Sequence, residues 1–439
     1  MNLRIGMPCS SAVVEENPRE DTNHADVPPI LGHATGFTCT RCGRRYDTSV
    51  PRLTCPVCGL DGILDVLYDY DAVRAELTAD SLARAPRSHW RYRPLLPLPG
   101  DASASVAPVG WTPVFEAPPV AARLGFRRVL VKDEGRNPTG SLKDRASSVA
   151  AAHAAASGYR AVTCASTGNA ASSLAGMSPQ LGLHPYIFVP ASVSQAKLTQ
   201  MLVYGATVFL VRGSYEDAFT LSMDAAGRFE WYNRNSAINP LLVEGKKTAG
   251  LEIAEQTGAD LPDVVVVPLG DGCTLAGTWK GLREMHLLGL SPRVPRIIGV
   301  QAAGAAPIAA ALAEDREVTS VSVQTVADGI AVGTPRNWRK ALNAVRTSGG
   351  TIVTVSDEEI LDAMRFLAQT TGVWGEPAAL AGIAALPYLR ARGLVGRTER
   401  VLVLLTGHGL KDPTTARHAA GGRAVEIEAT PQAVQEALR

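Results

Sequence analysis

The fold class is decided by the stretch Val264-Val265-Val266-Val267-Pro268-Leu269-Gly270-Asp271-Gly272-Cys273-Thr274. Four consecutive valines favour a β-strand that is buried on both faces. Gly270 and Gly272 then form a turn before a helix that runs through Trp279 and Lys280. Backbone N–H groups converge in such a loop, and a phosphate binds well there. Because the loop lacks the Gly-Lys-Ser/Thr ending of a nucleotide P-loop, it predicts a phosphate cradle of another kind.

The same alternation of a short apolar run and an alanine-rich helical stretch recurs from about residue 113 onward. The runs occupy residues 128–131, 161–164, 186–189, 208–211, 264–267, 297–300 and 401–405. Strands that are apolar on both faces and separated by helices predict parallel sheets covered on both sides. We therefore predict an α/β protein, in which ligands lie beyond the carboxyl ends of the strands.

Lys143 is the candidate reactive group, within the segment E-G-R-N-P-T-G-S-L-K-D-R at residues 134–145. The segment follows the strand that ends near Val131 and precedes a helix, so Lys143 is expected in the first helical turn at the edge of the sheet. A lysine placed there beside other cations and partly desolvated loses proton affinity and becomes nucleophilic. A single lysine after a turn is usually a solvated helix start, so this interpretation depends on the neighbouring loops.

Two further loops follow apolar runs. Ser166, Thr167 and Asn169 begin a helix, and short hydroxyls with N–H groups at a helix N-terminus suit a carboxylate. Thr406 opens the last loop, where its hydroxyl can reach a ring nitrogen bound among these segments. His408 is either a catalytic base or a residue that shapes the turn between two glycines, and the second interpretation is favoured.

Four cysteines form two C-x-x-C pairs near the N-terminus: Cys39, Cys42, Cys55 and Cys58. Two such pairs, each followed by a glycine, provide four thiolates for one tetrahedral structural zinc ion. The alternative is a set of unrelated cytosolic thiols. Arg41, Arg44 and Arg45 form a thin basic patch, so we favour a structural ribbon packed on the larger body over a nucleic-acid module.

Composition excludes several classes of partner. Lys plus Arg number 43 and Asp plus Glu number 42, which gives a net charge of +1. This balance provides no reason to expect binding to nucleic acid or to an anionic membrane. No apolar run is long enough to span a bilayer, and the N-terminus does not resemble a secretory signal. We expect a cytoplasmic protein with a mobile leader over residues 1–30.

Taken together, these segments resemble the threonine synthase family of fold-type II enzymes, which use pyridoxal phosphate (PLP), over roughly residues 110–420. The lysine motif, S-T-G-N, G-D-G-C-T and T-G-H-G-L-K-D-P occur in the family's order, with E-G-K-K-T, A-D-G-I and G-E-P-A between them. The resemblance implies two parallel-sheet α/β domains with PLP between them, an N-terminal zinc ribbon and a homodimer. The expected divisions are a leader (1–30), a ribbon (31–65), a large domain (66–140 and 241–420), a small domain (141–240) and a C-terminal tail (421–439).

The resemblance also implies roles for individual residues. Lys143 binds PLP covalently, Asn169 contacts its 3-hydroxyl oxygen and Thr406 faces its pyridine nitrogen. Ser166 and Thr167 hold the substrate carboxylate. The cofactor phosphate is held by the backbone of Gly270, Asp271, Gly272, Cys273 and Thr274. A neutral hydroxyl opposite the ring nitrogen makes PLP a milder electron sink, which favours elimination and replacement over transamination.

The implied reaction converts O-phosphohomoserine and water to threonine and phosphate. Its substrate is a phosphorylated amino acid, so cations are needed. The candidates, which the sequence does not rank, are Arg136, Arg145, Lys246 and Lys247.

Three positions depart from the family's pattern. Leu242 stands where many members have an arginine, Ala170 where a hydroxyl residue is common, and Leu142 where phenylalanine is common. One alternative therefore stays open: β-replacement or elimination on another amino acid, as in cysteate synthases acting on O-phosphoserine and sulfite. A second alternative is a zinc-ribbon binding module without catalysis, against which the intact Lys143 motif argues.

Overall fold

The computed structural model describes residues 32–48, 52–100, 102–191, 193 and 195–439. The leader predicted for residues 1–30 lies outside these ranges. Within them, no helix is long and apolar enough to cross a membrane.

Strands and helices alternate along most of the described chain. The strands are β1 (Ala34–Cys39), β2 (Arg45–Tyr46), β3 (Thr54–Cys55), β4 (Gly59–Tyr68), β5 (Val114–Glu116), β6 (Arg128–Asp133), β7 (Ala161–Ala165), β8 (His184–Pro190), β9 (Thr207–Val211), β10 (Tyr232–Asn233), β11 (Val264–Pro268), β12 (Arg296–Ala302), β13 (Thr351–Val355) and β14 (Arg400–Leu405). The helices are α1 (Tyr70–Glu76), α2 (Ala79–Arg84), α3 (Pro118–Leu124), α4 (Lys143–Ala156), α5 (Asn169–Met177), α6 (Gln195–Val203), α7 (Tyr215–Arg228), α8 (Leu241–Thr257), α9 (Cys273–Leu287), α10 (Pro307–Ala313), α11 (Trp338–Ser348), α12 (Asp357–Thr371), α13 (Pro377–Ala391), α14 (Pro413–Ala419) and α15 (Pro431–Ala437). The predicted α/β class is confirmed.

A six-stranded sheet has the order β13-β12-β11-β14-β6-β5. Helices cover both of its faces, which is why the four valines of β11 are fully buried. The pairs from β13 to β6 are parallel, whereas β5 pairs with β6 in the antiparallel direction. The predicted parallel sheet is therefore confirmed for five of the six strands, and the edge strand β5 is the exception, because an antiparallel neighbour needs no crossover connection.

A second sheet is four-stranded and parallel throughout, with the order β10-β7-β8-β9. Its strands all fall within residues 141–240, the stretch predicted as the small domain. The boundaries of the two domains remain predictions. The C-terminal stretch 421–439 includes α15.

The four cysteines lie at the strand ends and turns of a small antiparallel sheet with the order β2-β1-β4-β3. Phe37 and Val66 of this ribbon are buried in one apolar cluster with Val149 of α4 and Leu241 of α8. Burial of that apolar surface attaches the ribbon to the larger body of the protein through α4 and α8. The ribbon is therefore packed on the body, in line with the sequence interpretation.

Candidate active site

A cavity of about 720 Å³ lies where the carboxyl ends of the two parallel sheets face each other. The loops that follow β7, β11 and β14 line it, together with the N-terminus of α4. Residues from several distant segments line this cavity: Lys143, Ser166, Thr167, Asn169, Lys246, Gly270, Asp271, Gly272, Cys273, Thr274 and Thr406. The structure thus brings together most of the predicted site residues, because parallel strands present their loops at one edge.

Lys143 is the first residue of α4, and its amine points into the cavity region without a hydrogen bond or ion pair to any described residue. Burial, together with the positive charges of Lys246 and Arg234, lowers the pKa of this amine to about 8. The negative charge of Glu376 opposes that shift. About a tenth of the amine is therefore neutral and nucleophilic at pH 7, far more than for a lysine of ordinary pKa.

The loop between β11 and α9, which contains Gly270 and Gly272, forms another part of the cavity wall. Gly272 has a φ of +99°, a conformation that L side chains rarely adopt, and no side chain caps α9 there. The first N–H groups of a helix have no partner within it, so an anion at this loop would accept from them. A cradle of backbone donors, a free amine and a neutral hydroxyl at Thr406 fits a phosphorylated aldehyde such as PLP.

Asn169 begins α5, whose N-terminus also has no side-chain cap. Its Nδ2 donates a 2.6 Å hydrogen bond to Oε1 of Glu376, which lies in the G-E-P-A segment. Burial raises the pKa of the Glu376 carboxyl, although the nearby charge of Lys143 opposes the shift. Glu376 lines the cavity and was not among the predicted site residues.

His408 shapes its loop, which is the interpretation that the sequence favoured. Its Nδ1 accepts a 3.1 Å hydrogen bond from the N–H of Leu410, and it is not among the residues that line the cavity. Thr406, two residues earlier, does line it, and the carbonyl of Thr406 accepts from the N–H of Leu142 at 2.9 Å. That bond ties the loop after β14 to the start of the lysine helix.

Only Lys246 among the four candidate cations lines the cavity. Burial lowers the pKa of its amine, and it forms no ion pair with a described carboxylate. Arg145 is instead fully buried outside the cavity. Its guanidinium binds Glu134 at 2.6 Å and Glu252 at 2.6 Å, so it is not available to a substrate, contrary to prediction.

Lys247 and Arg136 are likewise absent from the cavity wall. The Lys247 amine is buried between Glu244 at 2.6 Å and Glu284 at 2.9 Å. The Arg136 side chain is two-thirds exposed, and its Nε lies 3.8 Å from Oδ2 of Asp133. The prediction that these side chains bind substrate is wrong for both of them, since one is neutralised in the core and the other lies in solvent.

Several charged residues of the cavity were not among the predicted site residues. Lys197 of α6 forms an ion pair with Asp328, which lies in the A-D-G-I segment on the opposite wall. Arg336 lies 3.7 Å from Glu216 across the same opening. Only the tertiary structure places Lys197, Glu216 and Arg336 at the site, because no motif quoted from the sequence includes them. Asp328, in contrast, belongs to the A-D-G-I motif.

The four cysteine sulfurs of the ribbon all lie within 4.8 Å of one another. Gly62 packs against them so closely that an added Cβ would lie 2.5 Å from the Cβ of Cys55 and 2.7 Å from that of Cys58. A glycine is therefore required where the two knuckles meet. Four convergent thiol groups are the donor set of a tetrahedral zinc site.

Residues 107–407 match the family described as "Pyridoxal-phosphate dependent enzyme". The chain is 38% identical to the threonine synthase of Methanosarcina acetivorans over 403 residues, which cover 91% of this chain and 98% of that protein. It is 37% identical to the threonine synthase of Methanocaldococcus jannaschii over 87% of this chain and 94% of that protein. The fold resembles that of diaminopropionate ammonia lyase from Escherichia coli, with a TM-score of 0.62 and 21% identity over 70% of this chain and 86% of that one.

Proposed function

Because this chain belongs to the family of pyridoxal-phosphate dependent enzymes, we propose that it is a lyase that converts O-phosphohomoserine and water to threonine and inorganic phosphate. The observation that supports this proposal is the cavity lined by Lys143 and Lys246. Neither amine forms an ion pair with a described carboxylate. Relatives named threonine synthase that align over nearly their whole length support this choice of substrate.

The cofactor phosphate is proposed to bind the N–H groups from Gly270 to Thr274, and Asn169 and Thr406 to contact the pyridine ring. PLP, when bound, supplies an electron sink that stabilises negative charge next to the substrate's α-carbon. Thr406 is a neutral donor, so the ring nitrogen keeps less positive charge than it would beside a carboxylate. That environment favours elimination and replacement chemistry.

Lys143 is proposed to move the protons. In the net reaction the Cγ–O bond breaks and phosphate leaves, a proton is lost from Cβ and one is gained at Cγ, and the hydroxyl of water is added at Cβ. The α-proton is removed and later returned. A single flexible amine can perform these transfers if it lies within about 3 Å of each proton in turn.

The two ends of the substrate are proposed to bind opposite walls. Ser166, Thr167 and the N-terminus of α5 would hold the carboxylate, because unsatisfied N–H groups and hydroxyls are its natural donors. Lys246 would hold the phosphate in place of the arginine that Leu242 replaces. Leu242 lies four residues before Lys246 on α8, so both side chains lie on one face of the helix.

The substrate is identified by a phosphate-release assay on the purified holoenzyme. We expect release of phosphate from O-phosphohomoserine, with threonine formed in equal amount, and little release from O-phosphoserine. Release from O-phosphoserine alone would select the β-replacement alternative and overturn the proposed reaction. A protein that remains colourless with added PLP would overturn both enzymatic hypotheses.

Replacing Lys246 by glutamine is expected to raise KM for O-phosphohomoserine about ten- to a hundred-fold, because one charge-assisted contact to phosphate contributes about 1.5–3 kcal/mol. Steady-state kinetics would measure this effect, and the cofactor absorbance should persist. Lys197→Gln is the matched control, since Lys197 also lines the cavity but is paired with Asp328. A large KM effect in Lys197→Gln alone would transfer the phosphate-binding role to Lys197.

The rate at which the cofactor-free protein takes up PLP is expected to rise about tenfold per pH unit below pH 8 and then to level off. Only the neutral amine attacks the aldehyde, and the pKa of Lys143 is lowered from its usual 10.5 to about 8. Stopped-flow absorbance at several pH values would measure the rate. A rate that keeps rising through pH 9 to 10 would show that burial does not depress this pKa.

We further propose that Cys39, Cys42, Cys55 and Cys58 bind one structural zinc ion, which their mutual proximity supports. The Cys55→Ser variant is expected to lose most of its zinc, because a tetrahedral site rarely persists with three thiolates. Metal analysis of the purified protein measures the content. Cys164→Ser is the control, since Cys164 is buried in the parallel-sheet core and is not part of the cluster. Full zinc content in Cys55→Ser would contradict the proposal.

A cytoplasmic homodimer is the proposed state of the molecule. Exposed apolar side chains support an intersubunit contact, because Val203 at the end of α6 is 76% exposed and Leu210 of β9 is 51% exposed. The unpaired cysteines support a reducing compartment. Light scattering should give about twice the chain mass of 46.2 kDa, and a value near 46.2 kDa would contradict the dimer.

A further inference from the structure

A second cavity, of about 290 Å³, lies between the ribbon and the catalytic body. The ribbon contributes one wall, and α8, α9 and α11 contribute the others. Its lining consists of Thr38, Thr40, Asp65, Val243, Ala276, Trp279, Lys280, Arg283, Arg339, Lys340 and Asn343. None of these residues lines the catalytic cavity, so the two spaces are separate within the described part of the chain.

The lining has four cations and one carboxylate, Asp65, but Lys280 also pairs with the buried Glu244 at 2.7 Å. Lys280 and Lys340 are more than nine-tenths buried, and both bind Oδ1 of Asp65, at 3.2 and 3.0 Å. Backbone carbonyls of the ribbon accept from the same amines, at 2.8 Å from Lys280 and 2.7 Å from Lys340. The buried lysines thus fix the ribbon in place, and because Asp65 and Glu244 neutralise them, the charge available to a ligand is that of the two arginines.

The two arginines of the wall retain free donors. Arg283 makes no hydrogen bond or ion pair with the described residues, and its guanidinium lies 5.2 Å from the centre of the Trp279 ring. Arg339 pairs with Glu317 at 2.8 Å, but that carboxylate is 73% exposed and is readily displaced by a competing anion. Guanidinium groups match the oxygens of a phosphate in a bidentate geometry.

We propose that this second cavity binds a small molecule that carries a phosphate group. The phosphate is held by Arg283 and Arg339 above the two buried lysines, and the remainder lies against Trp279 and the hydroxyls of Thr38 and Thr40. Two arginines with free donors that line one cavity with the Trp279 ring distinguish this space from an ordinary crevice. The ribbon then has a role beyond stability, since it forms one wall of a ligand site.

The proposal is tested by isothermal titration calorimetry, in which the holoenzyme is titrated with inorganic phosphate and, separately, with glycerol 3-phosphate. We expect the Arg283→Gln/Arg339→Gln variant to lose one binding site or to bind it at least tenfold more weakly, since each charge-assisted contact contributes about 1.5–3 kcal/mol. Phosphate bound near Lys246 would remain in that variant as a separate site. Tighter binding of the ester than of inorganic phosphate would identify an organic phosphate as the ligand.

Arg392→Gln is the matched control, because Arg392 also lies over an aromatic ring, Tyr388, at 5.5 Å and lines neither cavity. It should bind as the unaltered protein does. The Arg283→Lys/Arg339→Lys variant should recover part of the affinity, and an unchanged zinc content and circular dichroism spectrum verify folding. Identical isotherms for the unaltered protein and the glutamine variant, or no saturable binding by either, would overturn the proposal.

Discussion

The Lys143→Ala variant is expected to lose the visible absorption band of lysine-bound PLP and to lower kcat by about a thousandfold or more. This side chain is both the covalent attachment point and the proposed proton carrier, and general acid–base catalysis alone contributes about 10²–10⁴-fold. The absorption spectrum of the purified protein and the phosphate-release assay measure the two effects.

Lys197→Ala is the comparison variant for the spectrum, since Lys197 lines the same cavity but pairs with Asp328. It should keep the absorption band. A band that survives in Lys143→Ala and disappears in Lys197→Ala would move the covalent attachment to Lys197. A Lys143→Ala variant with normal turnover would remove Lys143 from the mechanism altogether.

The Arg145→Met variant is expected to lower the free energy of unfolding by about 3–5 kcal/mol, the usual result of breaking a buried ion pair from one side. Arg145 and Lys132 neutralise Glu134 and Glu252 in a fully buried cluster. Without the guanidinium, two carboxylates share one ammonium group. Urea unfolding followed by circular dichroism would measure the change.

Arg346→Met is the control for this loss, because Arg346 pairs with the exposed Asp315 at the surface and should leave the unfolding midpoint nearly unchanged. The double variant Arg145→Met/Glu252→Gln should recover part of the stability, since it removes one uncompensated charge. If Arg145→Met were as stable as the control but had a raised KM, Arg145 would be a substrate ligand after all.

Most strands that sequence patterning predicted lie in the sheet interiors, and the exception is β9, an edge strand that the apolar run at 208–211 also predicted. The apolar runs at 161–164, 264–267 and 401–405 coincide with β7, β11 and β14, whose residues are nearly all buried. Patterning did not predict β5, β10 or β13. β5 and β13 lie at sheet edges, and β10 is an edge strand of two residues, so none needs a continuous apolar run.

The position of a lysine along the chain does not predict whether its amine is available to a ligand. Lys246 and Lys247 are neighbours in sequence, but successive residues of an α-helix point about 100° apart. One amine therefore lies on the cavity wall, and the other is buried between Glu244 and Glu284. Nothing in the E-G-K-K-T segment distinguishes them.

The sequence by itself determined the α/β class, the lysine helix, the loops that meet at the cavity and the cysteine cluster, because each depends on chemistry within a few residues. Only the tertiary structure decided which charged side chains are available to a ligand. Arg145 is neutralised by Glu252, 107 positions away, and the ribbon's Tyr68 donates to Glu244, 176 positions away. A charge is free or neutralised according to the groups that surround it in space, and the folded chain brings those groups from segments that no local pattern connects.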